Sequence, residues 1–126
     1  MIRIILAFFA IIAIINPAFS SDENKKKYKD NFECLAKNIY YEAGSESYET
    51  KLAVAFVTLN RVNSKRYPNN ICGVVFQACQ FVWHCEGPKR EPNGPAWVES
   101  VQAATCAINN CVKIMLKMHC FFTMIV

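Results

Sequence analysis

The residue with the clearest chemical possibility in this chain is Glu42, in the stretch Asn38-Ile39-Tyr40-Tyr41-Glu42-Ala43-Gly44. A carboxyl at a helix end, beside an apolar face, loses water, and desolvation raises its pKa until it stays protonated near neutral pH. Such an acid can protonate a glycosidic oxygen, the role that carboxyls tuned to ~6 play in glycosidases. The plainer alternative is an ion-paired or solvated glutamate. Sugar chemistry would also need aromatic faces and amides. Tyr40, Tyr41, Phe81 and Trp83 offer the first, and Asn60 and Gln80 the second; each aromatic taken singly also reads as core. A two-carboxylate glycosidase needs its second acid about 5–9.5 Å away. Glu46 and Glu49 are near in sequence, and Glu86 follows in the next motif. None stands out as that acid, which favours a one-carboxylate reaction.

These residues must be positioned by helices. From Phe32, apolar residues recur at 32, 35, 36, 39, 40 and 43, a helical spacing. Asp30 or Asn31 can cap the start, and Gly44 can end the helix in a left-handed conformation. On a wheel of ~100° per residue, Glu42 falls beside Leu35 at the edge of the apolar stripe, a half-buried position. A second helix is expected from Ser47 to Asn63, with Ser47 as cap and Glu49 in the first turn. Its interior, Leu52 to Leu59, is apolar nearly all round, as in a central core helix. Pro68-Asn69-Asn70 reads as a turn and Ile71 to Gln77 as a short helix. Residues 78–87 alternate as an extended segment, with Gln80, Val82 and His84 on one face. Pro88 to Pro95 is a loop, and a third long helix begins near Ala96.

Outside these elements the chain carries export signals. Met1-Ile2-Arg3 precedes the apolar run Ile4–Ile15, which is broken by Asn16-Pro17 and followed by Ala18-Phe19-Ser20. This is the pattern of a secretory signal peptide over residues 1–20, cleaved after Ser20. The run is well short of the ~20 residues a membrane span needs, so membrane contact is expected only through that signal before cleavage. Residues 21–30 read as a basic, polar, disordered lead-in, with lysines at 25, 26, 27 and 29. They form a solvated tail or a tether to an anionic surface. The formal charge of +4 and the lack of aromatics interleaved with the basic run give no sign of a nucleic-acid partner. The remaining length suits one small domain. Seven cysteines in an exported chain imply disulfides, with connectivity open and at least one thiol left over or paired between molecules. No Cys-x-x-Cys pair occurs, so a zinc site is not expected, nor any other cofactor.

The blocks Cys34-Leu35-Ala36-Lys37-Asn38-Ile39-Tyr40-Tyr41-Glu42-Ala43, Leu52 to Val62, and Tyr67 to Gln77 continuing through Cys79 to Gly87 resemble the SleB-like cell wall hydrolase family. That family includes spore cortex-lytic enzymes. The resemblance covers most of residues 33–87, with a weaker continuation from Trp97 to Asn110. It implies an α+β, helix-rich, lysozyme-like single domain over residues 31–110 with a short β element. The implied substrate is peptidoglycan, acted on as a monomer outside the cytoplasm, in the periplasm or cell wall. By the same resemblance Glu42 is the catalytic acid/base; the residues expected to contact substrate are Tyr41, Asn60, Gln80, Phe81 and Trp83. Hydrolysis and lytic transglycosylation both remain open. Val82 stands where the family has a small hydroxyl residue. The family's later Gly-Ala and Tyr/Phe-His elements are not found in Cys111–Val126, so residues 111–126 read as a divergent tail on a truncated or frame-shifted chain. An inactive remnant that at most binds cell wall is the alternative reading.

Overall fold

The computed structural model describes residues 18–87 and 89–111; residues 1–17, Pro88 and residues 112–126, with Cys120, lie outside the described residues. Helix α1 (Ala18–Ala43) is followed by α2 (Tyr48–Val62), the short α3 (Ile71–Val75), a 3-10 turn at Val82–His84 and α4 (Gly94–Ile108). Helix α1 packs against α2, α3 and α4, and α2 packs against α3 and α4. The shared core is Leu35, Ala36 and Ile39 of α1, Ala55 of α2, Ile71 and Val75 of α3, and Ala103, Ala104 and Ala107 of α4. Small side chains on α2 and α4 let these helices approach α1 closely, and larger rings such as Phe32, Trp83 and Trp97 close the rim. No described helix is long and apolar enough to cross a membrane.

Helix α1 is longer than expected. Residues 21–30 are exposed as anticipated, but they are helical rather than disordered. Neither glycine nor proline interrupts the chain between Pro17 and Gly44, and lysine is a good helix former. Asn31 is therefore not a cap. Its Nδ2 donates to the Lys27 carbonyl at 3.0 Å, and its Oδ1 accepts from the Cys72 backbone N–H at 3.1 Å, fastening α3 to α1. Gly44 does end α1, but not through a left-handed turn, since the positive-φ glycines of the described residues are Gly87 and Gly94. A Cβ at Gly44 would lie 2.5 Å from the Tyr40 carbonyl oxygen, so close approach is what requires glycine there.

Helix α2 starts as expected: Ser47 Oγ accepts from the Thr50 N–H at 3.3 Å. It is less central than its composition suggests, because Val57 is 45% exposed while Lys51 is 1% exposed. The Lys51 Nζ donates to the Glu46 carbonyl at 2.5 Å and pairs with Glu99 of α4 at 3.0 Å. One buried cation thus ties α2, the loop after α1, and α4 together. Asn70 caps α3 by accepting from the Gly73 N–H at 2.7 Å.

The expected β element is absent: the described residues contain no strand. The Cys79–Cys85 disulfide explains why residues 78–87 cannot run extended. Their Cα atoms are 5.8 Å apart, whereas six extended residues span ~20 Å. The ring is closed by positive φ at Ala78 (41°) and Cys79 (54°) and by the 3-10 turn. Two further disulfides join Cys34 of α1 to Cys72 of α3, and Cys106 of α4 to Cys111.

Candidate active site

Glu42 stands on the last turn of α1, one turn beyond Asn38. Asn38 is completely buried. Its Oδ1 accepts from the Trp83 indole N–H at 2.8 Å, and its Nδ2 donates to Thr58 Oγ1 at 3.2 Å. Thr58 in turn donates to the Val54 carbonyl at 3.0 Å. This chain of bonds pins the Cys79–Cys85 loop to α1 and α2, on the helix face that continues to Glu42.

The indole of Trp83 stacks on the Tyr41 ring, with centroids 4.5 Å apart and planes inclined by 27°. The Tyr41 hydroxyl donates to the Arg90 carbonyl at 2.8 Å, and burial raises its pKa, followed by the Glu91 charge. Phe76 and His84 meet Trp83 edge-on at 6.1 and 5.9 Å. Phe76 is 51% exposed, so an aromatic ledge reaches solvent beside the end of α1.

Glu42 itself is exposed, more than its place on the helical wheel suggests, while its neighbour Ala43 on the same turn is buried. Its carboxyl has no hydrogen bond or ion pair among the described residues. Its pKa is nevertheless raised, first by partial desolvation and second by the Glu86 carboxylate. Surface exposure and desolvation measure different things here: the side chain is open to solvent, while the protein around it still displaces water from the charged form. A general acid needs this combination, being reachable by substrate yet reluctant to ionise.

The other acids are occupied differently. Glu49 is held below the usual carboxylate range by its own backbone N–H and the Ser47 hydroxyl, as part of the α2 start. Glu99 pairs with Lys51. Glu86 pairs with Lys89 at 2.6 Å, yet its charge is felt at Glu42. Of the three carboxylates weighed as second acids, Glu86 is the one coupled to Glu42.

Of the five residues expected to touch substrate, Tyr41 and Trp83 lie together beside the end of α1, and Gln80 is exposed on the adjoining disulfide loop. Phe81 is only 7% exposed and packs beneath the Arg61 guanidinium at 5.1 Å, which makes it a core ring. Asn60 lies elsewhere, lining a groove with the N-terminal half of α1. Asn38 and Phe76 were not singled out from sequence as site residues, and Glu86 was weighed only as a second acid. Asn38 left one signal, an amide four residues before Glu42 on a largely apolar face. Among the described residues no three His, Cys, Asp or Glu side chains gather as a metal site.

The site thus sits in a small helical domain, with a solvent-reachable carboxyl on the helix that also carries the stacked Tyr41. The family model described as Cell Wall Hydrolase matches residues 45–124, well over half of the chain, and the protein belongs to that family. The match begins just after Glu42 and runs beyond Asn110, where the sequence reading ends the domain. The chain is similar to the spore cortex-lytic enzyme of Bacillus subtilis, 43% identical over 53 residues, which is 42% of this chain and 17% of that protein. It is 41% identical over 61 residues to the spore cortex-lytic enzyme of Halalkalibacterium halodurans (48% of this chain, 18% of that protein). To that of Oceanobacillus iheyensis it is 38% identical over 69 residues (54% and 25%). The chain thus spans a quarter or less of the length of these relatives. No solved structure matches it.

Proposed function

We propose that this protein is exported and cleaves the glycan strand of peptidoglycan, with Glu42 as general acid and then base. The observation that carries this reading is Glu42 itself: exposed at the end of α1, without an ion-pair partner among the described residues, and with a pKa held up by desolvation and Glu86. Membership of the cell wall hydrolase family supports the substrate class. The three disulfides accord with an oxidising compartment and with a leader over residues 1–20.

In the mechanism, protonated Glu42 gives its proton to the oxygen between N-acetylmuramic acid and N-acetylglucosamine, and an oxocarbenium-like centre develops as the bond breaks. The Glu42 carboxylate then removes a proton from the nucleophile. If that nucleophile is the muramoyl C6 hydroxyl, a 1,6-anhydro end forms; if it is water, a reducing end forms. Glu86 is the nearest analogue of a second acid, but its pairing with Lys89 suits it to holding up the pKa of Glu42 rather than to attacking sugar. Tyr41, Trp83 and Gln80 would supply the sugar-facing surface.

A peptidoglycan gel tests the reading. The protein should clear it and Glu42→Gln should not, while mass spectrometry of released fragments assigns anhydro or reducing ends. Sedimentation with cell wall, without clearing by the unaltered protein, would instead support a binding remnant.

A further inference from the structure

A well-formed groove of the described residues lies away from Glu42. It measures about 580 Å³ and runs between the N-terminal half of α1, the C-terminal half of α2 and the end of α4. That volume falls within the range of small-molecule sites, roughly 300–1,000 Å³. Along α1, Tyr28 in the groove lies ~21 Å from Glu42 at 1.5 Å per residue, so the two places are separate.

Its lining has an unusual chemistry. Asn24, Asn60, Asn63, Asn69 and Asn110 border it, all exposed, and none of these side-chain amides has a hydrogen-bond partner among the described residues. The other two asparagines of the lining, Asn31 and Asn70, are already committed to holding α3 in place. Beneath the amides lies an apolar floor of Phe32, Phe56 and Leu59, all half-buried, and Tyr28 stands at the edge with 58% of its surface exposed. Lys27 is the one charged side chain in the lining.

Each amide offers both donors and an acceptor on one side chain. A ligand that matches several such groups must present donors and acceptors of its own, and a lining with one charged side chain gives little hold on a highly charged one. Its body must also cover aromatic and aliphatic carbon. A lipid tail would leave the amides without partners, and a polyphosphate or nucleic acid would require more cations than Lys27. A pyranose chain fits on every count: hydroxyl and acetamido groups meet amides, and the C–H face meets rings.

We infer that this groove is a second glycan-binding site, which takes a neutral β-1,4-linked N-acetylhexosamine strand. It holds the polymer at a distance from Glu42 and does not depend on Glu42 being catalytic. It also gives Asn60 a sugar contact away from the position beside Glu42 that its motif suggested.

The test uses the full chain carrying Glu42→Gln, titrated with the β-1,4-linked tetramer of N-acetylglucosamine and followed by NMR. The side-chain amide signals of Asn60 and Asn63 and the ring of Tyr28 should shift saturably. Asn63→Ala combined with Asn69→Ala, both exposed positions, should weaken binding at least tenfold without altering the fold by circular dichroism. Raising salt from 50 to 500 mM should change the affinity less than twofold. Shifts confined to Tyr41 and Trp83, or no shift at all, would overturn the proposal. So would salt-sensitive binding of inorganic polyphosphate at the groove in place of the tetramer. Loss of clearing in Glu42→Gln is read separately, so the catalytic reading and the groove can fail independently.

Discussion

Asn38→Ala should separate a structural account of the site from a merely spatial one. The Asn38 side chain is fully buried and makes two hydrogen bonds, 2.8 Å from the Trp83 indole nitrogen and 3.2 Å to Thr58 Oγ1. Each is worth ~1 kcal/mol net, and an indole N–H left unpaired in a half-buried place adds to the loss. Thr58 suffers less, because its hydroxyl still donates to the Val54 carbonyl. The expected destabilisation is about 2–3 kcal/mol, which for a domain of this size lowers Tm by roughly 10–20 °C. Urea unfolding followed by tryptophan fluorescence measures it. Near-UV circular dichroism should weaken at the same time, because Trp83 loses the bond that orients it against Tyr41. Thr58→Val should cost about 1 kcal/mol, and the double variant less than the sum, because both substitutions remove the same bond. A loss below ~0.5 kcal/mol for Asn38→Ala, or strict additivity in the pair, would refute the network.

Three further outcomes follow from the same geometry. Removing the like charge in Glu86→Gln lets the Glu42 pKa fall back toward its ordinary value, so the alkaline limb of the pH–activity profile should move to lower pH. An unchanged limb would mean that Glu86 does not act on Glu42. Lys51→Ala should cost about 3 kcal/mol in urea unfolding, since it empties a fully buried site and breaks the tie to Glu99; Glu99→Gln, at a half-exposed partner, should cost ~1 kcal/mol or less. Replacing Cys34 and Cys72 with serine opens a loop of 38 residues, worth about 4 kcal/mol by loop entropy. Opening the six-residue Cys79–Cys85 loop should cost about 2 kcal/mol by the same reasoning.

The helices were legible where local signals were strong. Ser47 announced the start of α2, Asn70 and its turn preceded α3, and the 3.6-residue pattern from Phe32 marked the core face of α1. The failures have physical causes. Residues 78–87 alternate like a strand, but which cysteines pair is a tertiary fact, and the Cys79–Cys85 ring overrides the alternation. The polar composition of residues 21–30 hid a helix that continues from a packed neighbour. Glu42 was legible as a position, but the coupling to Glu86 joins residues that only folding brings close. Phe81 and Asn60 carried the right chemistry for sugar, and nothing in their local sequence revealed that one is buried and the other faces a different groove.

The central claim is that Glu42 performs the proton transfers. The direct measurement is the initial rate of glycan cleavage on purified peptidoglycan for the unaltered protein and for Glu42→Gln, with thermal unfolding of both recorded in parallel. Because the Glu42 side chain is exposed and without an ion-pair partner among the described residues, the substitution should leave Tm nearly unchanged. The rate should fall by about 10²–10⁴-fold, the range expected for loss of a general acid/base. A folded Glu42→Gln protein that cleaves glycan at the original rate would contradict the account.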